Sequence, residues 1–118
     1  MVQELYRPFA LLGALSGAAA IAAYAASAHG GSANLSTIAP LLLGHAPALI
    51  ALSMLAAGRG VAKLGGWAIL IGLLLFTGDL LMRDLTGDRL FPYAAPSGGT
   101  LMMLGWVIAG LGLMARKA

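Results

Sequence analysis

Residues 67–84 read WAILIGLLLFTGDLLMRD, an almost unbroken apolar run with an aspartate, Asp79, near its end. No other feature restricts the fold as severely. A run of that length suits a helix crossing hydrocarbon. A carboxylate inside such a helix is costly unless it is paired or lines a cavity. Arg83 follows four residues later, on the same helix face, and can pair with it.

The rest of the chain points to the same solvent. Of its 118 residues 60% are hydrophobic and only 9% charged, with a mean hydropathy of +0.92. Soluble domains carry about 25% charged residues. A chain this short and this apolar cannot cover a core with polar surface, so lipid is its expected surroundings. The expected fold is all-α: an integral membrane four-helix transmembrane bundle, one domain over residues 1–118. Its helices are predicted at about 8–28, 39–57, 64–82 and 98–115. There is no cysteine, which removes disulfides and thiolate metal sites. The net charge of +3 comes from residues at segment ends. Membrane topology accounts for it better than nucleic-acid binding, and no nucleic-acid partner is expected.

In chain order, a polar lead, MVQELYR, precedes Pro8, which suits a first helical turn. Arg7, the apolar run and Ala26-Ser27-Ala28 share features of a secretory signal, but the run exceeds an ordinary signal core and is read as a retained span. Gly13 and Gly17 form a GxxxG pair, a surface for close helix packing within the bundle or between subunits. Residues 29–38 read as a loop, with Pro40 opening the second helix and Pro47 kinking it beside His45. Residues 58–63 form a basic loop. In the long connection 83–97, Thr86-Gly87-Asp88 reads as a turn, Pro92 and Pro96 exclude a regular helix, and Ser97 is the expected N-cap of the fourth helix. Trp106 lies inside that helix and is expected to be packed; Gly78, Gly98, Gly99 and Gly105 read as helix contacts. No heptad pattern is evident.

Arg7, Arg59, Lys63, Arg116 and Lys117 fall on one side of a four-span chain, and only Arg83 and Arg89 on the other. The excess of basic residues predicts both termini in the cytoplasm. The expected location is a bacterial cytoplasmic membrane.

The run Phe76-Thr77-Gly78-Asp79-Leu80-Leu81, followed by Pro96-Ser97-Gly98-Gly99 and Leu104-Gly105-Trp106, resembles domain-of-unknown-function family 423. These are small four-span membrane proteins that include the eukaryotic transmembrane protein 256. The Ala28-His29 pair and His45 match the family's histidines, so the resemblance covers nearly the whole chain. It implies a four-helix membrane fold and no established activity. Asp79 departs from the pattern, standing where the family usually has serine, so the resemblance assigns it no family-wide role.

His29, His45 and Asp79 are expected in the outer half of the bundle, with His45 about 9 Å below the start of the second helix. Two arrangements are open. In one, Asp79 pairs with a snorkelling Arg83 and His45 bonds a carbonyl freed by Pro47. In the other, His29, His45, Asp79 and Arg83 line a polar pocket that responds to protons or binds a ligand. The three acidic and histidine side chains are metal-ligand types, but without a local ligand spacing no metal is expected. No cofactor motif, HExxH, GxSxG or P-loop occurs, so the chain is not read as an enzyme. The expected role is a small membrane protein that self-associates or docks onto a larger membrane complex. The alternative is an oligomeric transporter or channel, or a protein binding a lipid or small molecule near His45 and Asp79.

Overall fold

The computed structural model describes residues 4–116; Lys117, counted in the topology above, lies outside the described residues. Four helices follow in order: α1 (Arg7–Ala28), α2 (Ala33–Leu55), α3 (Gly60–Thr86) and α4 (Ala94–Leu113). Each is long and apolar enough to cross a membrane, and no strand occurs among the described residues. At ~1.5 Å per residue, α3 is ~40 Å long and overruns a ~30 Å hydrocarbon core at both ends.

Three of the helices begin well before their predicted starts, and α3, from Gly60 to Thr86, takes in most of the expected 58–63 loop and the first residues of the expected 83–97 connection. α2 begins six residues earlier than the loop-like composition of 29–38 suggests, leaving a connection of only 29–32. Ser32 is its N-cap, and the polar residues that resemble a loop fill its first turns. Both Pro40 and Pro47 therefore lie inside α2. α4 begins at Ala94, because a proline in a first turn costs no intrahelical hydrogen bond. Pro96 occupies the third position, and Tyr93, not Ser97, is the N-cap. The Ser97 backbone N–H instead donates to the Tyr93 carbonyl at 2.9 Å, inside the helix. Tyr93 carries φ 66, in the left-handed region, and Gly87, which ends α3, has φ 81. The turn at Thr86-Gly87-Asp88 is present, with the Asp88 N–H donating to Thr86 Oγ1.

The helices pack as two hairpins, α1–α2 and α3–α4, which meet along a narrower seam. The Cα trace measures 47 × 30 × 16 Å, a flat slab. Glycine governs the α3–α4 hairpin. Gly65 and Gly72 on α3 face Gly98, Gly105 and Gly112 on α4, each helix repeating at seven residues. A Cβ on Gly72 would stand 2.5 Å from the Gly98 carbonyl oxygen, and one on Gly105 2.6 Å from the Ile69 nitrogen. The backbones are in contact, so no side chain fits. Seven-residue spacing keeps such positions on one seam of paired helices. This is a heptad after all, written in glycine instead of leucine. Gly13 uses the same device within α1–α2: a Cβ there would lie 2.9 Å from the Ala46 carbonyl oxygen. The GxxxG pair thus serves intramolecular packing.

One end of the slab holds the start of α1, the α2–α3 connection and the end of α4. The Tyr6 N–H donates to Ser53 O at 2.7 Å, Trp67 Nε1 donates to the Tyr6 hydroxyl at 2.9 Å, and Arg59 Nε donates to Ala115 O. Phe9, fully buried, lies edge-on to Tyr6 and Trp67 and covers Gly66. These contacts carry α1 onto α3.

Candidate functional site

Asp79 follows Gly72 by seven residues and continues the α3 glycine seam. There it is fully buried. Burial of a carboxylate demands partners for both oxygens, and both have one. Arg83 Nη2 donates to Oδ2 at 2.8 Å, and the backbone N–H of Leu90 donates to Oδ1 at 2.9 Å. Asp79 therefore joins its own helix to the α3–α4 connection. Arg83 is 33% exposed, its head reaching toward the end of the bundle. Its Nε is buried without a partner.

His45 lies elsewhere. Because α2 starts at Ala33, His45 is ~18 Å along its helix instead of ~9 Å, near the middle of the span. Its Nδ1 lies 2.8 Å from the Leu41 carbonyl, one turn back, and not against the Leu43 carbonyl that Pro47 frees. Its Nε2 accepts from Trp106 Nε1 at 3.0 Å. The indole can only donate, so Nε2 carries the lone pair and Nδ1 the proton: the ring is the neutral Nδ1–H tautomer. Trp106, ~18 Å along α4, is still 47% exposed. The pair links the two hairpins at mid-depth.

His29 ends α1 and is exposed; its backbone N–H donates to Ala25 O and Ala26 O. No hydrogen bond connects His29, His45 and Asp79 among the described residues, nor do these contain a group of three His, Cys, Asp or Glu suited to a metal ion. The four expected pocket residues thus divide into an Asp79–Arg83 pair, a His45–Trp106 pair and a solvent-facing His29. The predicted helix contacts also divide. Gly13, Gly98 and Gly105 are in backbone contact, Gly17 lies 3.4 Å from Ala46 Cβ by its virtual Cβ, and Gly78 and Gly99 only graze Leu90 and Phe76.

Several residues carry the architecture without standing out in the sequence. The recurrence of glycine at 65, 72, 98, 105 and 112 was a signal available from spacing alone. Leu90 was not, because only its backbone acts. At the same end, Ser32 Oγ and Asn34 Nδ2 both donate to the Asp84 carboxylate, the latter at 2.7 Å, and bind the α1–α2 connection to α3. The remaining buried hydroxyls serve the backbone: Ser16 donates to Leu42 O across α1–α2, Ser53 to Ile50 O and Thr77 to Leu73 O.

A family model, Protein of unknown function (DUF423), matches residues 18–99, which include the glycine seam from Gly65 to Gly98, His45 and Asp79. The chain belongs to the DUF423 family. Its relatives include the UPF0382 membrane protein of Staphylococcus saprophyticus subsp. saprophyticus, 27% identical over 88% of this chain and 94% of the relative. UPF0382 membrane proteins of Staphylococcus epidermidis and Staphylococcus aureus are each 27% identical over 85% of this chain and 89% of theirs. No solved structure matches. The DUF423 chain is a membrane protein of a family whose function is uncharacterised, with bacterial members.

Proposed function

We propose that this DUF423 protein is a non-catalytic membrane component that acts through lateral association, with further copies of itself or with a larger membrane complex. One observation carries the reading. Each buried polar side chain among the described residues is spent inside the chain: Asp79 on Arg83 and Leu90, His45 on Leu41 and Trp106, and the hydroxyls on carbonyls; the one buried polar atom left over among the described residues is Nε of the partly exposed Arg83. Reactive chemistry or a transport path needs polar groups free to meet a substrate. What the molecule leaves uncovered is apolar helix surface, including Leu11, Leu15 and Ile21 on α1 and Met103, Val107 and Leu111 on α4. Basic residues concentrated at the end that holds the start of α1 and the close of α4 support an orientation with both termini in the cytoplasm of a bacterium.

Native mass spectrometry of the protein released from its own membranes tests this. A discrete oligomer or a companion subunit is the expected result. A strictly monomeric species that recovers no companion after crosslinking refutes it.

A further inference from the structure

Between the two hairpins, α1 and α3 enclose a groove of about 450 Å³ that opens sideways into the bilayer. One wall is small: Ala19, Ala22, Ala23 and Ala26 of α1. The other is Leu74, Thr77, Gly78 and Leu81 of α3, and α2 supplies the floor. Phe9 joins α1 to α3 at the opposite end, so the cleft belongs to the half nearer the α1–α2 connection. Continuing each stripe by one helical turn reaches His29 on α1, Ser32 ahead of α2 and Asp84 on α3. Ser32 and Asp84 are hydrogen-bonded to one another, so a polar bridge closes the groove at headgroup depth. Asp84 is exposed, and the salt bridge at this end is Arg83's to Asp79, leaving Asp84 with no cation among the described residues. Each carboxylate oxygen accepts one hydrogen bond there and has capacity for another.

We propose that this groove binds a phospholipid with a primary-ammonium headgroup. One acyl chain lies along the alanine wall, and the ammonium donates to Asp84. The charge decides the class: an anionic headgroup would meet an uncompensated carboxylate, whereas an ammonium completes the pair. The inference is independent of lateral association.

The test is native mass spectrometry of the full chain from nanodiscs holding equal phosphatidylethanolamine and phosphatidylglycerol. The expected result is a retained phosphatidylethanolamine in at least about threefold excess, in keeping with an exposed ion pair. Asp84→Asn should bring that ratio to near one. Ala22→Phe should fill the groove and remove the adduct, while Leu111→Phe on the far surface of α4 should keep it. Should Ala22→Phe fail to fold by circular dichroism, Ala19→Phe in the same wall replaces it. Equal retention of the two lipids, a preference that survives Asp84→Asn, or an adduct that survives a folded groove-filling variant each overturns the proposal. So does a wild-type oligomer that falls apart with Ala22→Phe without lipid preference, which would make the occupant a helix. A monomer that retains phosphatidylethanolamine would refute self-association and uphold the lipid site; an oligomer without lipid preference would uphold self-association and overturn the lipid site.

Discussion

Trp106 donates its indole N–H to Nε2 of His45 across 3.0 Å, joining residues 61 apart in the chain. Both lie near the middle of their helices, where neither would find water. Each solves the other's problem: the indole needs an acceptor and the neutral imidazole needs a donor. The contact joins α2 to α4 and thereby one hairpin to the other.

Trp106→Phe should destabilise the fold by about 0.6 kcal/mol, and at most ~1.7 kcal/mol, the range measured for side-chain hydrogen bonds between membrane helices. His45→Phe should cost a comparable amount, and the double variant should show coupling. Equilibrium unfolding in mixed micelles reads all three. Strict additivity would mean that the bond contributes nothing to joining the hairpins.

Two classes of glycine should behave oppositely. Gly72→Ala and Gly105→Ala place a methyl group against backbone atoms that cannot move aside. Each should cost about 1–3 kcal/mol as overpacking. Gly44 and Gly110 have nothing within 4 Å of a virtual Cβ, so alanine there should be neutral or stabilising by up to ~1 kcal/mol through helix propensity. The same unfolding assay separates the classes.

Asp79→Ala should strand the Arg83 guanidinium and release the Leu90 amide. Breaking a buried pair from one side costs about 3–5 kcal/mol, and Arg83's one-third exposure places the expected loss at or below the low end. Hydrogen exchange at Leu90 is the sharper readout: protection should vanish in Asp79→Ala and persist in Asp79→Asn, which keeps a carbonyl acceptor. Unchanged exchange in Asp79→Ala would show that the carboxylate does not hold the connection.

Tyr93 is a bulky residue at positive φ and 72% exposed. A left-handed backbone costs a residue with a Cβ about 1–2 kcal/mol. Tyr93→Gly should therefore raise the unfolding midpoint, and Gly87→Ala, at φ 81, should lower it. A drop with Tyr93→Gly would assign the ring a stabilising contact greater than the backbone strain.

The four spans were legible because hydropathy over some twenty residues is a strong signal. Their ends were not. Lys63, or Arg83 and Asp84, look like loop residues, yet a helix that outruns the hydrocarbon carries its charges at its ends. The Asp79–Arg83 pair was legible from its four-residue spacing, since helical neighbours are local. His45's partner was not, because nothing local in a sequence specifies a contact across 61 residues. Its expected depth was also wrong, for the physical reason that Pro40 sits inside α2 and not at its start. The glycine seam was spelled out in the spacing but hidden by abundance: with 17 glycines, the five of the α3–α4 seam look like the rest.

The hairpin arrangement also sets an order of assembly. Everything Asp79 needs lies within 11 residues of it, so the most expensive group in the membrane is satisfied as soon as α3 and the following turn have formed. His45 is made in the first half of the chain and Trp106 in the last helix. Throughout synthesis of the intervening helix, the imidazole acceptor remains unpaired. Newly inserted chain that has lost Trp106 would carry that vacancy permanently, giving membrane quality control a mark by which to distinguish a half-built molecule from a finished one.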